Sequence, residues 1–229
     1  MTPASPALLP SVELKTGSAP AHTVIWLHGL GADGNDFVPI VKQLVPTLNI
    51  PPVRFLFPHA PIRPMSINRG MMMRAWYDYD LLDPNLGLRE NVPSLIASQQ
   101  AIEALIAREV EGGVSPQCIV LAGFSQGGAL ALHAGLRYPE KLAGIMALSA
   151  YLPAPATLHA EGSRENLATS VFMAHGINDH VVPMILAETS RRQLIESGYP
   201  LEWHEYRMAH SVCDEELADI SAWLNKVLQ

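Results

Sequence analysis

The chain has 229 residues, of which 48% are hydrophobic and 16% charged, so it can bury the core of one globular domain and does not resemble a disordered segment. Its net charge of -7, without any basic stripe, argues against nucleic acid as a partner. The two cysteines, Cys118 and Cys213, lie far apart in the chain and indicate free thiols in a reducing compartment. Neither a signal peptide nor an apolar run of 18 residues is seen. We therefore expect a cytoplasmic protein without a transmembrane segment.

Short apolar runs alternate with segments of helical spacing along the chain. Residues 1–20 hold four prolines and are predicted to be an N-terminal arm that could form an edge strand at Ser11–Lys15, and residues 21–229 a single domain. Strands are predicted at 23–27, 53–57, 118–122, 142–148, 171–174 and 201–206, and helices at 36–48, 92–110, 128–136, 184–196 and 214–228. Segments 59–89 and 151–166 show no clean period and are predicted to be loops. This alternation predicts the α/β class, with a mostly parallel sheet that carries helices on both faces.

A G-x-S-x-G motif stands between the predicted strand 118–122 and the predicted helix that begins near Gly128. Its residues are Gly123-Phe124-Ser125-Gln126-Gly127. Strand, motif and helix in this order form a nucleophile elbow, a turn so tight that glycines flank the serine. The context predicts that Ser125 is a nucleophile; an ordinary glycine-rich turn is the alternative.

A serine nucleophile of this kind needs an acid and a base later in the chain, on loops that follow strands. Asp179 follows the predicted strand 171–174 and is preferred as the acid over Glu202 and Glu205, which lie inside a predicted strand. The base should lie between the last strand and the last helix. His210 lies there, whereas His204 is inside the strand and His180 is adjacent to Asp179.

An acyl-transfer site also needs two backbone N–H groups that stabilise the oxyanion. The residue after the nucleophile, Gln126, is predicted to supply one. The glycine-rich turn His28-Gly29-Leu30-Gly31 is predicted to supply the other from Leu30, with His28 bracing the turn.

Nine histidines raise the question of a metal, but no known spacing of histidine and cysteine ligands is present, and no phosphate-binding glycine loop is found. We therefore expect no metal and no cofactor. The run Met71–Met73 and Trp76 can be interpreted as core or as substrate-facing.

The motifs taken together resemble the carboxylesterase/phospholipase group of α/β-hydrolases, which includes the acyl-protein thioesterases. The resemblance extends from about Thr23 to Leu228 and rests on six segments: 27–34, 58–61, Asn68 with 76–78, 123–128, His175-Gly176 with Asp179 and 182–183, and His210-Ser211.

The resemblance implies site residues as well as a fold. Its triad falls on Ser125, Asp179 and His210 and its oxyanion donors on Leu30 and Gln126. The segment before Trp76, including Met73, would form a flap over an acyl channel that Tyr151 lines. Arg74 departs from the family pattern, in which a proline is expected, and the N-terminal arm is not covered.

The expected fold is an α/β-hydrolase domain without a large cap. The expected function is hydrolysis of short-to-medium acyl carboxylic esters through an acyl-serine, without a cofactor. Thioesters, acylated proteins and lysophospholipids are further candidate substrates, and homodimer formation is left open. A catalytically silent ligand-binding protein and an acyltransferase are the alternatives.

Overall fold

A seven-stranded sheet forms the centre of the computed structural model, which describes residues 8–81 and 88–229. The proline-rich start of the predicted arm, residues 1–7, lies outside the described residues. The strands are β1 Ser11–Lys15, β2 His22–Leu27, β3 Val53–Pro58, β4 Ile62–Met65, β5 Met71–Arg74, β6 Tyr79–Leu81, β7 Leu88–Glu90, β8 Ile119–Phe124, β9 Gly144–Leu148, β10 Ser170–Gly176 and β11 Leu201–Tyr206. The helices are α1 Val38–Leu44, α2 Val92–Glu111, α3 Gln126–Arg137, α4 Leu158–Glu161, α5 Met184–Glu196 and α6 Asp214–Val227.

The strands of the large sheet lie in the order β1-β3-β2-β8-β9-β10-β11. Only β1, at one edge, runs antiparallel to its neighbour; the other five pairs are parallel. The prediction of a mostly parallel sheet is therefore confirmed. All parallel strands end at the same edge, which collects the loops that follow β2, β8, β10 and β11.

Alternation along the strands fills two separate apolar layers. In β2, Ile25 and Leu27 pack with residues of α2 and α3, whereas Val24 and Trp26 pack with residues of α1 and α6 on the other face. Both faces of the sheet are thus covered, which explains why its strands are almost uniformly apolar.

Several predicted elements differ from the structure. The segment 59–89 is not a plain loop: β4 pairs with β5 and β6 pairs with β7 as two small antiparallel sheets. Helix α1 is shorter than the predicted helix 36–48 and passes into a 3-10 turn at Val45–Thr47. Segment 151–166 contains α4.

Candidate active site

Ser125 lies in a strained turn between β8 and α3. Its backbone angles are φ 55° and ψ -122°, a region that L-residues rarely adopt, and its N–H donates to the carbonyl of Leu148 at 2.8 Å. The turn can close only because its flanking residues lack side chains. A Cβ on Gly123 would lie 2.3 Å from the Gly127 carbonyl oxygen, and a Cβ on Gly127 would lie 2.3 Å from the Leu27 carbonyl oxygen. The sequence therefore forces Ser125 to the tip of the turn.

Asp179 and His210 meet on the loops that follow the adjacent strands β10 and β11. Nδ1 of His210 donates to Oδ2 of Asp179 at 2.6 Å. The other carboxylate oxygen accepts the N–H groups of Val181 and Val182 at 2.8 and 2.9 Å. Burial opposes ionisation of this carboxyl, but the hydrogen bonds from His210, Val182 and Val181 outweigh it and lower the pKa of Asp179. Asp179 is thus a buried carboxylate held in one orientation.

A second histidine touches the same carboxylate. Nε2 of His175 lies 2.8 Å from the carbonyl oxygen of Val182 and 3.5 Å from Oδ2 of Asp179. A carbonyl can only accept, so His175 carries its proton on Nε2. Burial lowers the pKa of His175 despite these neighbours, so the ring is neutral. A neutral ring does not form an ion pair with Asp179, so the carboxylate can stabilise a positive charge on His210.

The two loops are joined by backbone contacts beyond the strand ends. The N–H of Ile177 donates to the carbonyl of Tyr206 at 2.9 Å, and that of Asn178 to the carbonyl of Met208 at 3.0 Å. This close approach depends on Gly176, because a Cβ there would lie 2.4 Å from the carbonyl oxygen of Ala209. The spacing between Asp179 and His210 is therefore fixed by the backbone.

His210 also lies against the residue before the candidate nucleophile. The rings of Phe124 and His210 are 4.7 Å apart between centroids. In the described part of the chain no hydrogen bond joins the Ser125 hydroxyl to the His210 ring. Such bonds often form or tighten only when substrate is present.

The candidate oxyanion donors, Leu30 and Gln126, lie with Ser125 in the wall of one cavity. Gln126 is the first residue of α3, so its N–H has no acceptor within the helix. The turn that carries Leu30 is fixed by two neighbours. The N–H of Gly31 donates to the carbonyl of Arg74 at 2.9 Å, and Nε2 of His28 accepts the N–H of Ala60 at 3.1 Å.

The side chain of Gln126 clamps the segment between β5 and β6 onto the elbow. Its Oε1 accepts the N–H of Trp76 at 2.8 Å and its Nε2 donates to the carbonyl of Tyr77 at 2.8 Å. The indole N–H of Trp76 donates to the carbonyl of His28 at 2.8 Å. Gln126 and Trp76 thus connect the elbow and the glycine-rich turn 28–31 to the segment between β5 and β6.

Arg74, where the resemblance leads us to expect a proline, also contacts the glycine-rich turn 28–31. Its guanidinium Nη1 donates to the carbonyl of Ala60 at 2.8 Å, while its own carbonyl accepts the N–H of Gly31. The side chain is therefore tied to the loop after β3.

A cavity of about 400 Å³ opens at Ser125. The described residues that line it are Leu30, Ile67, Tyr79, Glu90, Ser125, Gln126, Tyr151, Leu152, Pro155, Val181, Val182, Leu186, Thr189, Ser190 and Gln193. Tyr151, which the resemblance places along an acyl channel, lies in the wall of this cavity. Met73 and Trp76 are not among these lining residues. Trp76 is fully buried in the core, and Sδ of Met73 lies 3.3 Å from the side-chain nitrogen of Asn68.

One wall of the cavity is formed by α5 and the residues before it, and this wall was not predicted from the sequence. The signal was present: Leu186, Thr189 and Gln193 recur at intervals of three or four residues, so they share one face of α5. The methionines of β5 were considered as substrate-facing residues because they are apolar. In the structure Met71 and Met72 are about 60% exposed.

The described residues contain neither a candidate metal cluster nor a candidate membrane-spanning helix. No group of three or more histidine, cysteine, aspartate or glutamate side chains there is arranged to hold a metal ion. None of the helices in the same ranges combines the length and apolarity needed to cross a bilayer.

Comparison with known proteins gives consistent matches over nearly the whole chain. The family model for phospholipases and carboxylesterases matches residues 10–228, a range that includes β1. Acyl-protein thioesterase 1 of Neurospora crassa is 38% identical over 97% of this chain and 91% of its own length. The corresponding protein of Gibberella zeae is 38% identical over 90% of each chain.

Solved structures agree in fold. Esterase PE8 superposes with a TM-score of 0.83 at 30% identity, covering 97% of this chain and 100% of its own. SOBER1 of Arabidopsis thaliana superposes with a TM-score of 0.82 at 30% identity, covering 91% and 99%. The expectation of an α/β-hydrolase fold is confirmed.

Proposed function

Because the chain belongs to the phospholipase/carboxylesterase family, we propose that Ser125, His210 and Asp179 act as nucleophile, base and orienting acid in its reaction. The chain is a carboxylic ester hydrolase of the carboxylesterase/acyl-protein thioesterase kind. The observation that carries the proposal is the 2.6 Å bond from His210 to a buried, doubly anchored carboxylate beside a strained serine that opens onto a cavity.

In the first half-reaction the Ser125 hydroxyl attacks the acyl carbon of the substrate. Nε2 of His210 takes the hydroxyl proton, and the carboxylate of Asp179 stabilises the resulting imidazolium and keeps the other proton on Nδ1. His210 then gives its proton to the departing alcohol or thiol, and the acyl group stays on Ser125. In the second half-reaction water repeats these steps and releases the carboxylic acid.

The negative charge that develops on the carbonyl oxygen is stabilised by the N–H groups of Leu30 and Gln126. The position of Gln126 at the start of α3 adds the positive end of the helix dipole. Donors that are fixed before the reaction do not have to reorganise when the charge appears, and removing one typically costs about 10²–10³-fold in rate.

The substrate is proposed to be an ester or thioester with a short-to-medium acyl chain. Most lining residues of the cavity are apolar or uncharged, which suits an acyl chain. An acyl group on a protein thiol, as in the named activity of the fungal relatives, and a lysophospholipid are the larger candidates. The same nucleophile and oxyanion donors serve oxygen and sulfur esters alike.

Trapping of the acyl intermediate tests the proposal. The protein is mixed with p-nitrophenyl octanoate, quenched in acid and analysed by intact-protein and peptide mass spectrometry. We expect an octanoyl adduct on Ser125 in the wild type and none in Ser125→Ala. Ser149→Ala is a matched control, since Ser149 is buried and also has a positive φ, of 47°, but does not line the cavity. An octanoyl adduct that persists in Ser125→Ala would overturn the assignment of Ser125 as the nucleophile. Transfer of the acyl group to an added alcohol in preference to water would favour an acyltransferase.

A further inference from the structure

One carboxylate lies in the wall of the cavity. Glu90 ends β7 directly opposite Tyr79 of β6, and both residues line the cavity together with Ser125 and Tyr151. Among the lining residues that the structure describes, Glu90 is the single one with a formal charge at neutral pH. It does not belong to the proposed catalytic machinery.

The nearby arginines do not neutralise Glu90 within the cavity. Arg89 pairs across the strands with Asp80, and strand alternation directs it to the other face. Arg74 points its guanidinium at the carbonyl of Ala60. Neither arginine lines the cavity, so among the described residues its wall carries no cation opposite the charge of Glu90.

Two tyrosines, Tyr79 and Tyr151, line the cavity together with the carboxylate. The rings of Tyr77 and Tyr79 are 5.4 Å apart in an edge arrangement, and the hydroxyls of Tyr77 and Tyr151 are 3.2 Å apart. Burial raises the pKa of Tyr151, and Tyr79 and Glu90 raise it further, so its phenol remains neutral. Neutral aromatic rings beside a carboxylate are the combination that attracts organic cations.

We propose that Glu90 is a specificity-determining residue that makes the cavity select acyl groups by charge. Acyl chains that end in an ammonium are favoured over neutral chains of the same shape, and chains that end in a carboxylate are excluded. This inference rests on the proposed function, since it assumes that the acyl group enters the cavity at Ser125.

The physical reason is the low polarity of the wall. A carboxylate that enters the cavity gives up water and is repelled by Glu90. Both the desolvation and the repulsion disfavour its binding. An ammonium also gives up water, but it gains the attraction of Glu90 and of the tyrosine faces. Neutral chains avoid both effects and should fall between the two.

The test uses three p-nitrophenyl esters of equal acyl length that end in trimethylammonium, in its neutral isostere tert-butyl, or in carboxylate. In the wild type kcat/KM for the cationic ester should exceed that for the anionic ester by about 10–100-fold, the range expected for one partly screened charge. Glu90→Gln should reduce this ratio about tenfold and Glu90→Lys should invert it.

Glu111→Gln is the matched control. It removes the same charge, but Glu111 is exposed and lies at the far end of the 20-residue helix α2, about 30 Å from Glu90. This variant should keep the wild-type ratio. Equal ratios in the wild type and Glu90→Gln would overturn the inference while leaving the esterase proposal standing. A wild type that hydrolyses none of the three esters would instead overturn the proposed function.

Discussion

Nδ1 of His210 lies 2.6 Å from Oδ2 of Asp179, although 31 residues separate the two in the chain. Neighbouring parallel strands bring their loops to the same sheet edge, and the backbone bonds of Ile177 and Asn178 hold these loops together. The fold places the two side chains in contact before substrate binds. The entropic cost of bringing them together is therefore met when the protein folds and not during the reaction.

Asp179→Asn should reduce kcat by about 10⁴-fold, as in triads of known geometry. The N–H groups of Val181 and Val182 require an acceptor, so they would hold the amide oxygen of the new side chain. Its NH₂ would then face His210 and donate to Nδ1. That bond places the ring proton on Nε2, which could no longer accept a proton from Ser125. Steady-state hydrolysis of p-nitrophenyl butyrate measures the effect.

Glu202→Gln is the control for this substitution, since Glu202 also binds a histidine, His204, at 3.1 Å but on an outer strand. Its rate should stay within about twofold of the wild type because it touches no proposed catalytic group. If Glu202→Gln is the crippling change and Asp179→Asn is mild, the acid has been misassigned.

Gln126→Ala should destabilise the fold by about 1–3 kcal/mol, since it leaves two buried backbone groups, the N–H of Trp76 and the carbonyl of Tyr77, without partners. It keeps the backbone N–H, so activity should fall far less than in Ser125→Ala. Urea unfolding of this variant is compared with that of Gln99→Ala, whose side chain bonds to Glu103 on the same helix, α2. Equal midpoints for the two variants would mean that the clamp contributes nothing.

The parts of the fold that could be predicted are those whose sequence signal lies within a few neighbouring residues. The parallel strands, the helices and the elbow follow from periods and turn residues that lie within a few positions of one another. The four residues of β4 pair with those of β5 across a turn in which Arg69 and Gly70 are both left-handed. Such short strands offer too few residues for a period to emerge.

The cavity was harder to predict because its wall is assembled from distant segments. Trp76 is apolar and lies on a long segment, which suits a flap, but its indole N–H needs a buried acceptor and finds it on His28. That bond turns the side chain into the core. Conversely, Leu186 reads as one more residue of an amphipathic helix, and only the packing of α5 against the site shows what it faces.

Gly127→Ala should abolish most activity. Its Cβ would lie 2.3 Å from the Leu27 carbonyl oxygen and 2.5 Å from that of His28, and backbone atoms cannot move aside as side chains can. The displaced end of β2 carries the turn of Leu30, so the proposed oxyanion site would be distorted. Gly135→Ala in the same helix is the control, because the atoms nearest to its Cβ belong to the side chain of Ile145 and not to the backbone. Equal activity losses in the two variants would contradict this account.

Glu216 should make the protein less stable as pH rises. Its side chain is fully buried, and burial raises the pKa of Glu216 to about 8 from an ordinary value of 4.5. Between these values the folded state keeps a proton that the unfolded state has released. The free energy of unfolding therefore falls by about 1.4 kcal/mol per pH unit in this window from this group alone.

The difference between the wild type and Glu216→Gln isolates that contribution. The free energy of unfolding of both proteins is measured with a chemical denaturant at pH 5, 6, 7 and 8. The value for the variant should rise relative to that for the wild type with each increase in pH. Glu215→Gln serves as a control, since Glu215 neighbours it on α6 but is exposed. Parallel curves for the wild type and Glu216→Gln would show that Glu216 is not protonated in the folded state.

The wall formed by α5 should set the acyl chain length. Each methylene buried in the cavity is worth about 0.8 kcal/mol, or roughly fourfold in kcat/KM, until the chain meets the wall. Leu186→Trp places a larger side chain on a lining residue, so the rise with chain length should stop at a shorter acyl group while acetyl esters change least. Ile185→Trp is the control: Ile185 is adjacent and 60% exposed, but it does not line the cavity. The measurement is kcat/KM for acetyl through decanoyl p-nitrophenyl esters with all three proteins. If the Leu186→Trp profile runs parallel to that of the wild type, the acyl chain lies elsewhere and the exposed methionines of β5 become the next surface to test.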